Sequence, residues 1–208
     1  MKVIKTKSLI VILCAYFLIS HHLYSQNPWE TDKNKEDIIV CTRVEKNSNF
    51  KSFKAVMTVT ASIDEILKIL KNADGYSKWY GYTKTSKLLK EIEDAQYNYV
   101  ETTFPWPYRN RDMVYKMSID TLIPKEIKVS LKGIHDFVPE KKGIVRMKKA
   151  EGYILLKSSG HNTEIIYVFH SDPGDNIPSW LANSSIANLP FETLSGLRKI
   201  LKEKSKID

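Results

Sequence analysis

Six segments of strand character, 86–93, 96–104, 111–122, 125–133, 143–158 and 163–171, follow one another with only short polar or Gly/Pro breaks. Breaks that short suit hairpins, so the stretch is expected to form a run of antiparallel strands. In the last segment Ile165, Tyr167 and Phe169 alternate with Ile166, Val168 and His170, which leaves both faces largely apolar. Tyr97, Tyr99 and Glu101 alternate in the same way with Asn98, Val100 and Thr102. Such a sheet packs on one side and, on the other, curls or lines something dry.

Helical segments bracket the strand run. Before it, segments 38–44 and 51–60 read as an antiparallel strand pair, preceded by a polar stretch that reads as a short frayed helix around Pro28, Trp29 and Glu30. Ser62 and Glu65 form an S-x-x-E capping box, and Ile63, Ile66, Leu67 and Leu70 then fall on one face of a helix over 63–72. Asp74-Gly75 ends that helix, and Trp79, Tyr80 and Tyr82 form an aromatic-rich loop. After the strands, a turn at 172–175 leads to a long helix with Pro178 in its first turn, running to about Lys204. Trp180, Leu181, Ser184, Leu194, Leu197, Ile200 and Leu201 lie broadly on one side of it. Pro190 should kink or divide it. The order of elements makes this an α+β chain.

With 42% hydrophobic and 27% charged residues in 208, a packed domain is affordable and wholesale disorder is excluded. Lys2, Lys5 and Lys7, the apolar run 8–20 and a small residue at Ser25 have the layout of a secretory signal peptide cleaved between Ser25 and Gln26. The run is shorter than the roughly 20 residues a bilayer-spanning helix needs. Residues 1–25 are therefore expected to be a leader, and 26–208 the exported domain, periplasmic or extracellular. Cys14 falls in the leader, so Cys41 alone remains and no intramolecular disulfide can form.

The net charge is +8, and three of the lysines belong to the leader. The remaining lysines are scattered without a recognition motif, so nucleic acid is not an expected partner. Arg198, Lys199, Lys202, Lys204 and Lys206 form a basic helical face that reads as solvated, with transient contact to an anionic membrane surface as its functional alternative.

Nothing in the chain has the spacing of an enzyme. His135, His161 and His170 are not set with other ligating residues at metal-binding intervals, so no metal or cofactor is expected. There is no G-x-S-x-G, no phosphate-cradling loop and no CxxC, and Glu91, Glu93 and Asp94 read as a polar turn. His170 reads as a hydrogen-bonded structural histidine near Asp172. No catalytic residue is assigned.

Two stretches stand out. Phe104-Pro-Trp-Pro-Tyr-Arg-Asn-Arg-Asp-Met-Val114 sets a stiff bend before a strand, and Asp172-Pro-Gly-Asp-Asn-Ile-Pro-Ser-Trp-Leu-Ala-Asn183 sets a turn before a helix. Together they resemble the START family, the steroidogenic-acute-regulatory-protein-related lipid-transfer domains. That family carries P-W-P-x-x-N-R-D-hydrophobic-V and D-P-G-G-x-I-P-x-W-L-x-N, the second matched here with Asp175 in place of a Gly. Val145-Arg146 followed by Gly152-Tyr153 adds to the likeness, which extends over residues 36–203.

The resemblance implies a helix-grip fold: a curved antiparallel β-sheet wrapped around a long C-terminal α-helix, enclosing an elongated apolar cavity. Residues 134–142 would form part of a lid. The implied function is non-enzymatic binding or transfer of a lipid or other hydrophobic small molecule, by a protein expected to be a monomer. Candidate ligand-binding residues are Met113 and Tyr115 beyond the bend, Phe137 on the lid, Val168, and Trp180, Leu181, Ser184 and Leu194 from the helix. Arg111 either meets a ligand oxygen at the polar end or forms an ion pair with Asp112, Glu101 or another carboxylate. Two other readings stand beside this one. A cyclase- or aromatase-like enzyme would use Arg111, Tyr115 and Tyr167. An interaction module would have its cavity filled by aromatic side chains, including the loop from Trp79 to Tyr82.

Overall fold

A computed structural model describes residues 28–174 and 177–204. The expected leader over residues 1–25, with Cys14, and Asp175 and Lys206 lie outside the described residues. Ten strands are joined in one sheet: β1 (Glu30–Lys35), β2 (Ile38–Val44), β3 (Lys51–Val59), β4 (Thr83–Ile92), β5 (Ala95–Thr102), β6 (Arg111–Ile123), β7 (Glu126–Gly133), β8 (Val145–Arg146), β9 (Lys149–Ser159) and β10 (Asn162–Asp172). Among the described residues three helices accompany them, α1 (Ile63–Lys71), α2 (Ser179–Ser184) and α3 (Asn188–Lys204), with a 3-10 turn over Ala73–Lys78. The strand order is β1-β2-β3-β10-β9-β7-β6-β5-β4. Every pairing is antiparallel except the short one of β8 beside β6. The sheet curves around the C-terminal helix, as the helix-grip reading requires.

The curl follows from which face is apolar. Along β10, Thr163, Ile165, Tyr167 and Phe169 are buried, while the residues between them are only partly so. Their cross-strand partners Val59, Met57, Ala55 and Phe53 on β3, and Leu156, Ile154 and Gly152 on β9, continue the same face. At Gly152 a Cβ would run into the Val168 carbonyl and the Phe169 ring, so the sheet can fold closely there only without a side chain. Against this face α3 lays Phe191, Leu194, Leu197 and Leu201, each worth about 1.5–3 kcal/mol on burial.

Gly196 brings α3 against the turn that follows α1, where a Cβ would collide with the Trp79 carbonyl. Gly81 N–H donates to Thr193 Oγ1 at 3.1 Å, and Thr193 Oγ1 donates to the Leu189 carbonyl at 2.8 Å. The capping box on α1 is complete, with Ser62 accepting from Glu65 N–H at 3.2 Å and Glu65 accepting from Ser62 N–H at 2.7 Å.

Three expectations change. The stretch at the start of the described chain is an edge strand, not a frayed helix. Glu36 and Asp37 both take positive φ, making a tight turn back into β2, and Trp29 sits under the Arg43 and Lys54 cations at 4.5 and 5.4 Å. The segment 143–158 is two strands, because Met147 N–H donates to the Asp112 carbonyl before β9 begins. The long helix is divided, as allowed for, but the break at Ser185–Ala187 precedes Pro190. That proline lies in the first turn of α3, where a missing N–H costs nothing.

Candidate ligand-binding interior

Between the sheet and α3 lies a cluster of aromatic rings. Phe53 meets Tyr167 edge-on at 4.9 Å, Tyr76 meets Trp79 edge-on at 5.3 Å, and Tyr76 stacks on Tyr80 at 5.6 Å. Their hydroxyls form short chains. Tyr76 donates to the Leu70 carbonyl and bonds Tyr115, while Tyr80 and Tyr167 bond each other. Because the Tyr76 proton is used on Leu70, Tyr115 is the donor to Tyr76, and its own oxygen keeps acceptor capacity. Burial holds Tyr76, Tyr115 and Tyr167 above the usual phenol range and pushes Tyr80 up to about 12, so all four hydroxyls are neutral.

Beside these rings the inward face of β4 and β5 turns polar. Asn98, fully buried, lies opposite Tyr115 on β6 and Leu88 on β4; Gln96 lies opposite Met117; Ser86 lies opposite Val100. The Asn98 oxygen and nitrogen, Gln96 Oε1, Ser86 Oγ and Thr83 Oγ1 are buried without a hydrogen-bond partner. Each such atom costs about 1–3 kcal/mol.

Carboxylates are kept off this face among the described residues, and Arg111 is the one buried charge at its end. The buried charged residues among those described are Glu101, Arg111, Asp112 and Arg146. Asp112 and Glu101 are opposite each other on the other face of the sheet. There Asp112 takes a two-pronged pair from Arg146 at 2.7 and 3.1 Å, and Arg146 also donates to the carbonyls of His135 and Val138. Burial alone would raise Glu101, but the Asn110 amide and Lys84 together outweigh it and hold its carboxyl below the ordinary range.

Arg111 sits at the end of the inward face, buried, its guanidinium 4.6 Å over the Phe104 ring. It donates to the Pro173 carbonyl at 3.1 Å and to the Arg109 carbonyl, so it joins the two motif stretches to each other. Asn110 closes the first stretch, accepting from Phe104 N–H and donating to Glu101 at 2.7 Å. Asn183 fixes the second, accepting from Lys51 N–H at 2.9 Å and donating to the Asn49 carbonyl at 3.0 Å.

The residues singled out from the sequence separate into three groups. Met113, Tyr115 and Leu194 are in the core facing the interior. Val168 and Phe137 are not. The two-residue period of β10 sends Val168 to the face of Lys54 and Tyr153, opposite Tyr167. Phe137 stacks on Tyr97 at 4.4 Å, and Lys141 lies 3.9 Å from the Tyr99 ring, so the lid segment covers the outer face of β5 and β6. On α2, Trp180 is 71% exposed, Ser184 is exposed with its hydroxyl donated to Leu181, and Leu181 is half-buried. That short helix buries none of its residues, because the break before α3 turns its apolar side away from the core.

Tyr76, Ser86, Gln96 and Asn98 are not among the residues singled out from the sequence, and Tyr80 is there only as part of the aromatic loop. The signal for Asn98 was present: it alternates with Tyr97 and Tyr99, and the register of β5 on β6 decides which set faces inward.

A hollow of about 550 Å³ opens on the outer face between Arg43, Glu45, Ser52, Tyr153, Val168 and His170. There Ser52 Oγ donates to Glu45 at 2.6 Å and bonds His170 Nδ1 at 3.1 Å, and Arg43 holds Glu45 at 2.8 Å. His170 is thus hydrogen-bonded, to Ser52. With its proton given to Glu45, the serine is a bridge and not an activated nucleophile.

The family model of the START domain matches residues 13–207. An uncharacterized protein of Pseudomonas aeruginosa is 28% identical over 195 residues, covering 93% of this chain and 96% of that protein. The phosphatidylcholine transfer protein of Rattus norvegicus is 26% identical over 167 residues, 77% of each chain. Among solved structures, a STAR-related lipid transfer protein fragment from Xanthomonas axonopodis superposes with a TM-score of 0.79 at 33% identity, covering 84% of this chain and 98% of that one.

Proposed function

The chain belongs to the START domain family, and from that premise we propose that it binds a lipid or other hydrophobic small molecule between sheet and α3 and carries it without chemical change. The observation that supports this most directly is the composition of the inward face. Aliphatic and aromatic side chains cover most of it, its tyrosine hydroxyls are neutral, its polar patch is of uncharged side chains, and among the described residues no buried carboxylate or histidine faces it. Burial of apolar ligand surface at about 25 cal/mol per Å² is the driving force such an interior can supply. The phosphatidylcholine transfer protein and the STAR-related lipid transfer protein among its relatives agree with a carrier.

Export with loss of residues 1–25 fits this reading, since an apolar cargo crossing an aqueous compartment needs a carrier. Membrane contact would occur at the end of the sheet where Trp106 and Trp180 are 92% and 71% exposed. The Arg111–Pro173 bond ties their two stretches together, and tryptophan is suited to the headgroup layer.

Native mass spectrometry of the protein purified without detergent, followed by organic extraction, tests the carrier. A stoichiometric adduct that extracts as lipid is the expected result. A clean apo mass with no saturable uptake of fluorescent lipid probes would sink it.

A further inference from the structure

The inward face carries an apolar field with one polar patch whose atoms are unmatched. Asn98 offers a donor and an acceptor, both without a partner, and so offers them in either orientation of its amide. Ser86 Oγ and Gln96 Oε1 are unmatched on the same face, two residues along from Asn98 in each direction by register. Tyr115, opposite Asn98, keeps acceptor capacity. Four neighbouring side chains on three strands are thus set to hydrogen-bond something that none of them is.

Charge decides what that something is. A buried phosphate or carboxylate needs a cation or several donors aimed at it. Arg146 is committed to Asp112 on the opposite face, and Arg111 reaches the carbonyls of Pro173 and Arg109 at the strand end. No other buried residue among those described carries positive charge. A hydroxyl, by contrast, donates and accepts, and an ester carbonyl accepts, each at no desolvation cost beyond what neutral amides and hydroxyls can return.

We infer that Ser86, Gln96, Asn98 and Tyr115 form the seat for the polar end of the bound molecule, and that this molecule is an uncharged lipid with hydroxyl or carbonyl groups. The inference rests on the carrier reading and narrows it: an ionised phospholipid or fatty acid is the wrong cargo. A ligand that satisfies the Ser86, Gln96 and Asn98 atoms recovers their cost on binding.

The test uses the protein expressed full length and incubated with phosphatidylcholine vesicles holding a small fraction of diacylglycerol with the same acyl chains. Lipids recovered with the re-isolated protein are quantified by mass spectrometry. Enrichment of diacylglycerol over phosphatidylcholine by tenfold or more, relative to the vesicle, is the expected result. Phosphatidylcholine bound in proportion or better overturns the inference and leaves the carrier reading standing; no bound lipid of either kind overturns both.

Asn98→Leu and Gln96→Met should each lower diacylglycerol uptake about tenfold, the loss of one good neutral hydrogen bond, with Tm unchanged or raised. Residues kept for structure would show the reverse: a lowered Tm, or uptake equal to wild type. Ser86→Ala, which removes only an oxygen, gives the same reading should the larger changes perturb folding, and full uptake in that variant counts against the seat.

Discussion

Arg146 and Asp112 meet fork to fork with both side chains almost wholly out of solvent. A pair buried this deeply contributes little over an apolar replacement, yet losing one member strands the other. Arg146→Met should therefore cost about 3–5 kcal/mol in denaturant unfolding. It should also free the 134–142 segment, whose His135 and Val138 carbonyls lose their donor, as increased amide exchange there. The tyrosines give a second residue-scale outcome. Tyr76, Tyr80, Tyr115 and Tyr167 have folded pKa values raised above their unfolded ones, chiefly by burial. The folded state thus holds its protons where the unfolded state releases them. Stability is intact below about pH 10, the ordinary phenol value, and falls as pH climbs above it. In an alkaline titration followed by phenolate absorbance, these four should ionise only together with unfolding; smooth titration of every tyrosine near the ordinary value would contradict their placement.

Helix α3 takes its position from a single missing side chain. Gly196→Ala introduces a Cβ against the Trp79 carbonyl, a backbone atom that cannot swing aside. The cost should be about 1–3 kcal/mol, measured as a lowered denaturation midpoint. Ser62→Ala, which removes the α1 cap, should cost about 1 kcal/mol without touching the interior. The elements with strong local signals were legible in the sequence: α1 by its capping box and spacing, β10 by its alternation. Those decided by distant contacts were not. β1 has the composition of a loop and becomes a strand only because β2 pairs with it and Arg43 and Lys54 close over Trp29. The helix break at 185–187 has no proline in it, since Pro190 stands where a helix accepts one. Register was the deeper gap. Val168 and Tyr167 are equally apolar in sequence, and only the pairing with β3 and β9 shows that Tyr167 faces the core.

At the scale of the whole molecule the sheet and α3 make one apolar interior, and the two motif stretches are fixed at one end by Arg111, Asn110 and Asn183. Recognising the motifs identified the family, but most of their residues hold the frame and do not face the interior. Met113 and Tyr115, which the first motif contains or adjoins, do face the interior, and so does Asn98, which lies outside both motifs. The exposed tryptophans at this end give a separable outcome. Trp106→Ala with Trp180→Ala should weaken sedimentation with anionic vesicles several-fold while shifting stability by less than about 0.5 kcal/mol per site, as befits exposed positions. The same loss of vesicle binding with a large stability loss would mean that these rings are structural. The central claim, that cargo lies between sheet and helix, is tested most directly by photocrosslinking. A diacylglycerol carrying a diazirine on its acyl chain is loaded, irradiated, and its attachment sites mapped by mass spectrometry. Label on inward residues such as Met113, Met117, Tyr115 and Leu194 is the expected result; label confined to the outer hollow around Tyr153, Val168 and His170 would contradict the account.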